Sequence, residues 1–153
     1  MKYHLILGVI CAIFAGVFGQ FAADWGMLAW IGFASWACFF AAGGGVKGAQ
    51  KTFLTNLYGM FIGWLVVYAA SITGMHNPML LPLMGGVFLL CAAGGISQLS
   101  FVPGAFIGCA AFLGSGALIL ETFISLLVGL VLGFISERIA QTIFAKITPA
   151  SAQ

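Results

Sequence analysis

The uncharged segment Gln98-Leu99-Ser100-Phe101-Val102-Pro103-Gly104 gathers side chains that could hold a polar solute. Pro103 has no N–H, and its ring disrupts the preceding turn, so nearby carbonyls lose helical partners. Those carbonyls, the Gln98 amide and the Ser100 hydroxyl could replace water around a small neutral molecule. Phe101 would form an apolar constriction, and the break from Gln98 to Gly104 would line the narrowest part of a pore. The competing reading is a helix start capped by Ser100, with Pro103 in the first turn. Asn56 offers a similar choice between a hydrogen-bonding post facing a pore and an interhelical contact to a backbone carbonyl. Gln20, Ser35, Thr55 and Ser125 share that ambiguity, and hydroxyls can also bond back to their own helix.

Nothing points to catalysis. No nucleophile stands at a plausible spacing from a base, and His, Asp and Glu form no metal-binding cluster. Gly43 to Gly48 with Lys47 lacks the spacing of a phosphate-binding loop. Cys11, Cys38, Cys91 and Cys109 all lie in apolar runs without a C-x-x-C pair, and read as small buried apolar residues. His76 reads as a solvated loop histidine. The expectation is a protein that is not an enzyme and uses no cofactor or metal.

The surroundings of these residues are set by composition. Charged residues make up 5% of the 153 residues and apolar ones 63%. A soluble domain carries about 25% charge, so this chain could not cover a surface facing water. Its solvent is largely lipid. The net charge of +2 forms no basic patch on a polar surface, so nucleic acid is not an expected partner.

Six apolar spans are expected, near 5–23, 26–42, 53–72, 79–93, 101–113 and 118–135, in one integral membrane domain covering 1–153. The fold class is all-α. The first apolar run reaches Ala23, long enough to cross, and reads as a retained helix rather than a removed signal. Gly43 to Lys51 reads as a glycine-rich inner loop, and Thr73 to Pro78 as an outer turn. Arg138 to Ile147 reads as a short amphipathic tail, with a frayed end from Thr148. Span 5 is expected to be short or broken near Pro103, and a re-entrant segment is its alternative. Six crossings put Lys2, Lys47, Lys51, Arg138 and Lys146 on one face, whereas five would split them. Basic residues near span ends stay in the cytoplasm, which favours six crossings with both termini inside.

No ionisable residue lies near the middle of a span. Proton- and ion-coupled carriers usually keep one there despite a cost of about 2.5–3.5 kcal/mol, so a secondary transporter is disfavoured. Helices in lipid associate through close packing and interhelical hydrogen bonds. Gly59 with Gly63, Gly104 with Gly108, and Gly129 with Gly133 form three G-x-x-x-G steps suited to such packing, within this chain or against another copy. The two three-span halves share glycine content but no readable motif.

Three segments carry a family resemblance: Leu28-Ala29-Trp30-Ile31-Gly32-Phe33, Gly44-Gly45-Val46-Lys47-Gly48, and above all Ser100-Phe101-Val102-Pro103-Gly104-Ala105-Phe106-Ile107-Gly108. Through them the chain resembles the YcdZ-like family of small bacterial inner-membrane proteins, whose shared region is a domain of unknown function. The resemblance implies a bacterial cytoplasmic-membrane protein and brings no substrate or site residues. The leading expectation is a passive channel for a small neutral or weakly polar solute, as a homo-oligomer in the bilayer. The alternative is a non-transporting scaffold or accessory subunit that packs through its glycine faces. The topology is checked with reporter fusions, which are expected to place the carboxyl end on the same side as the amino end. A carboxyl-terminal reporter on the opposite side would overturn six crossings.

Overall fold

A computed structural model describes residues 2–73 and 78–147. His76 and the chain from Thr148 onward lie outside the described residues. Six α-helices follow one another: α1 (Lys2–Phe21), α2 (Ala29–Ala41), α3 (Gly45–Ile72), α4 (Leu80–Ala92), α5 (Val102–Gly114) and α6 (Ile119–Ile147). Two 3-10 turns, Ala93–Gly95 and Ser97–Leu99, separate α4 from α5. All the regular structure among the described residues is helical.

The helices differ in length. α1, α3 and α6 have 20, 28 and 29 residues and are long and apolar enough to cross a membrane. α2, α4 and α5 have 13 residues each. At 1.5 Å per residue these short helices span about 20 Å, less than the roughly 30 Å of a bilayer's hydrocarbon core. The shortness of α5 agrees with the expected short fifth span. Pro103 stands in the first turn of α5, where its missing N–H costs nothing.

Two expectations are corrected. The glycine-rich loop is a turn of three residues, Ala42 to Gly44, and Gly45 to Lys51 already belong to α3. Gly43 and Gly44 end α2 by taking φ of +97° and +67°, a region that glycine enters without steric cost. At the other end of the sequence, Arg138 to Ile147 is no separate tail, because α6 runs through it without a break.

A third correction concerns repetition. The two halves of the chain share one three-helix pattern. Thr52-Phe53-Leu54-Thr55-Asn56-Leu57-Tyr58-Gly59-Met60-Phe61-Ile62-Gly63-Trp64 on α3 returns on α6 as Thr122-Phe123-Ile124-Ser125-Leu126-Leu127-Val128-Gly129-Leu130-Val131-Leu132-Gly133-Phe134. Contacts repeat with the residues. A methyl group on Gly59 would run into the Ala105 carbonyl of α5, and one on Gly129 into the Gly32 carbonyl of α2. Gly63 faces Cys109 and Phe112, just as Gly133 faces Trp36 and Phe39. The turn after α2, with positive φ at Gly43 and Gly44, has its counterpart after α5 in Gly116 and Ala117, at +76° and +66°.

The two units are exchanged and inverted. α2 packs along α6 and α5 along α3, while α1 lies on α6 and α4 on α3. Gly104, Ala105, Cys109 and Phe112 meet Thr55, Gly59 and Gly63 in rising order, so α5 runs parallel to α3. Leu28, Gly32 and Trp36 meet Ser125, Gly129 and Gly133 in the same way, so α2 runs parallel to α6. The tight α2–α3 turn makes those two helices antiparallel, and α3 and α6 therefore point in opposite directions. α1 opposes α6, with the Tyr3 and Phe144 rings 5.8 Å apart. α4 opposes α3, with Gly86 against Ile62 and Val66, and Tyr58 donating to the Leu89 carbonyl at 2.9 Å.

These directions gather the start of α1, the α2–α3 turn, the two 3-10 turns and the last part of α6 at one end. Lys2, Lys47, Lys51, Arg138 and Lys146 all lie there. Asp24, just after α1, and Glu121, in the first turn of α6, mark the other end. Replacing Gly129 by Ala is expected to lower the unfolding midpoint in detergent, at a cost of ~1–3 kcal/mol for an overpacked crossing. Gly16→Ala adds a methyl with nothing within 4 Å and is expected to leave the midpoint unchanged or slightly higher. Equal effects from the two would remove the crossing from its structural role.

Candidate functional site

The two central helices α3 and α6 touch where the repeat relates one to the other. Phe53, Asn56 and Leu57 of α3 and their counterparts Phe123, Leu126 and Leu127 of α6 line a cavity of about 10 Å³, with Ser35 and Leu130. Because its walls are three repeat-related pairs, the cavity sits on the pseudo-twofold axis. Its volume is about that of one water centre.

Asn56 breaks the symmetry of this cavity. It is 3% exposed. Its Nδ2 donates to Ser35 Oγ at 2.9 Å, across the α2–α3 interface. Its Oδ1 is buried and accepts no hydrogen bond from any of the described residues. An unpaired buried carbonyl costs about 1–3 kcal/mol. The matching position on α6 is Leu126, which carries no such cost. The axis is thus polar on one side and apolar on the other.

Two further buried groups have no hydrogen-bond partner among the described residues. Thr52 Oγ1, one turn before Asn56 on the same face of α3, is buried without a partner. So is Nε1 of Trp36, the residue after Ser35. The counterpart of Thr52 is satisfied, since Thr122 donates to Ser115 Oγ at 2.8 Å. Thr55 donates back to the Lys51 carbonyl at 2.7 Å, and Ser125 to the Glu121 carbonyl at 2.6 Å. Ser125 also accepts from the Leu28 N–H at 2.8 Å, tying the start of α2 to α6. These two hydroxyls are structural.

The structure separates the residues that the sequence grouped as a pore lining. Asn56 is buried on the axis, whereas Gln98 and Ser100 are exposed at the cationic end. Ser100 donates to the Ser97 carbonyl at 2.9 Å, and no side chain caps the start of α5. Phe101 is half-buried just before α5, and Pro103 is exposed. Gly104 is buried, and a methyl there would collide with Thr55 Oγ1 and the Phe101 ring. Gly108 lies against the backbone of Asn56 itself. Both glycines let α5 settle onto α3 beside the cavity. Ser35, Thr52 and Trp36 escaped the sequence reading as a group. The repeated Thr-Phe-x-[Ser/Thr] and G-x-x-x-G pattern was the signal that would have placed the axis, and with it the lone Asn56.

The family model described as a protein of unknown function (DUF1097) matches residues 5–141. The inner membrane protein YcdZ of Escherichia coli (strain K12) is 34% identical over 140 residues, covering 88% of this chain and 83% of that protein. YcdZ of Salmonella typhimurium is 36% identical over 140 residues, with 88% and 85% covered. The uncharacterized protein YahC of Escherichia coli is 32% identical over 123 residues, with 74% and 72% covered. No solved structure matches the chain. The apolar helices and these relatives together identify a membrane protein, and the chain belongs to the DUF1097 family of unknown function.

Proposed function

We propose that this protein is a passive passage for small uncharged solutes carrying N–H or O–H donors, which meet Asn56 midway. The observation that carries the reading is the buried Asn56 Oδ1, left without a donor on the axis that relates the two halves. An acceptor in that position is satisfied by water or by a solute of similar chemistry, such as a small amide. Inverted-repeat carriers keep their solute sites near the bilayer midplane at the interface between repeats. In this chain that interface is the contact of α3 with α6. The cavity has room for about one water centre in this conformation, so passage requires the α2–α6 and α3–α5 pairs to part.

This route lies within one chain, and a homo-oligomer would set such routes side by side rather than build a pore between copies. The reading includes six crossings, with the cationic end in the cytoplasm in accordance with the positive-inside rule. It involves no chemical conversion. The accessory-subunit alternative drew on free glycine faces. Gly59, Gly63, Gly104, Gly108, Gly129 and Gly133 all lie against other residues of this same chain, which weakens that alternative.

Proteoliposome swelling tests the proposal. Asn56→Leu gives α3 the residue that α6 already carries at the equivalent position, so the variant is expected to fold. Swelling in formamide, acetamide or urea is expected to be faster than in empty vesicles. It should fall about tenfold in the variant, the value of one hydrogen bond. Swelling equal to that of empty vesicles, or unchanged by Asn56→Leu, would overturn the proposal.

A further inference from the structure

The polar break before α5 has a place of its own. At the cationic end, Ser97 and Gln98 meet Lys47, Gln50, Lys51 and Leu54 of α3 around a cleft of about 210 Å³. Lys47 and Lys51 are four residues apart on a helix, so they share one face of α3. Both are exposed, as are Gln50, Ser97 and Gln98. The Ser97 hydroxyl donates to Gln98 Oε1 at 2.8 Å. That bond occupies the amide's acceptor and leaves its two N–H donors for a ligand. The cleft therefore presents two cations and amide donors.

Among the described residues no carboxylate lines it. Asp24 and Glu121 lie at the opposite end of the helices. Glu137, the one acid at this end among the described residues, accepts from the Gly45 N–H at 2.7 Å and is not among the residues lining the cleft. The repeat shows that this charge is particular to one end. Between the preceding turn and Thr122, α6 has only Ile119 to Glu121, which carry an acid. The matching part of α3 runs from Gly45 to Lys51, about one helical turn longer, and carries both lysines. Leu54, an exposed apolar residue of α3, also lines the cleft.

We infer that this cleft binds the phosphate group of an anionic phospholipid, held by Lys47 and Lys51 with Gln98 as a neutral donor. Ammonium groups and amide N–H donors are suited to the unesterified phosphate oxygens. Leu54 receives the start of an acyl chain, which a free phosphate cannot supply. The inference is independent of what passes the axis.

The test uses the full-length protein in a neutral detergent, titrated with short-chain phosphatidylglycerol and followed by native mass spectrometry and thermal unfolding. Phosphatidylcholine, inorganic phosphate and glycerol phosphate serve as comparison ligands. Phosphatidylglycerol is expected to bind and to raise the unfolding midpoint, and the comparison ligands are not. The double change Lys47→Gln with Lys51→Gln is expected to weaken binding about tenfold or more. Gln98→Ala should weaken it about threefold, and Lys2→Gln with Lys146→Gln less than about twofold. Far-ultraviolet circular dichroism checks that each variant is folded. Equal loss from the Lys2 and Lys146 pair, or no loss from Gln98→Ala, would reduce the effect to a general attraction between basic residues and an acidic surface and overturn the site. Equal stabilisation by inorganic phosphate would overturn the lipid as its ligand.

Discussion

Two backbone crossings hold this molecule together. At each, a glycine on a long helix lies directly against a carbonyl of a short one: Gly59 against Ala105, and Gly129 against Gly32. The hydrogen that stands in place of a side chain faces that carbonyl, an approach that also admits weak C–H···O contact. In lipid the hydrophobic effect does not press helices together, so this closeness is the main source of cohesion. The neighbouring glycines extend each crossing by a turn, and large side chains such as Phe112 and Phe39 fill the space beside them.

Because the crossings are exchanged between halves, neither three-helix unit is complete alone. The short helix of each unit lies on the long helix of the other. The two long helices are brought face to face, in opposite directions, and meet at Phe53, Asn56 and Leu57 of one and Phe123, Leu126 and Leu127 of the other. A repeated pattern tends toward matching walls at such a place. Here the walls match in Phe53 with Phe123 and Leu57 with Leu127, and differ in Asn56 with Leu126. A polar group in lipid-embedded protein is costly without a partner, and Asn56 has a partner for its amide nitrogen only. The two halves also differ at their ends, where Lys47 and Lys51 precede Thr52 and Glu121 precedes Thr122.

Much of the fold was legible before the structure. The six helices follow the order of the six apolar runs, because a chain with so little charge has few places to turn, although α3 begins at Gly45 and α6 runs on to Ile147. The glycine-rich stretch is shorter as a turn than its composition signals, because positive φ is confined to Gly43, Gly44 and Gly45, and α3 already begins at Gly45. The repeat was visible in the letters around Thr52 and Thr122 but weak, because substitutions such as Asn56 to Leu126 and Tyr58 to Val128 change chemistry while preserving shape. Asn56 was recognised as a polar residue within a span. Ser35 was one of several ambiguous hydroxyls until α2 and α3 closed into a hairpin that set it 2.9 Å from the amide.

The sequence by itself determined the solvent, the helical class and the positions where the chain can bend. These depend on hydropathy, charge and backbone chemistry, which act over a few neighbouring residues. Only the tertiary structure decided which helices cross, that the two halves are exchanged, and that Asn56 lies on their axis while Gln98 lies at the basic end. Those outcomes depend on contacts between residues far apart in the chain. Close approach at a glycine depends on which carbonyl it meets, and no local pattern specifies that partner.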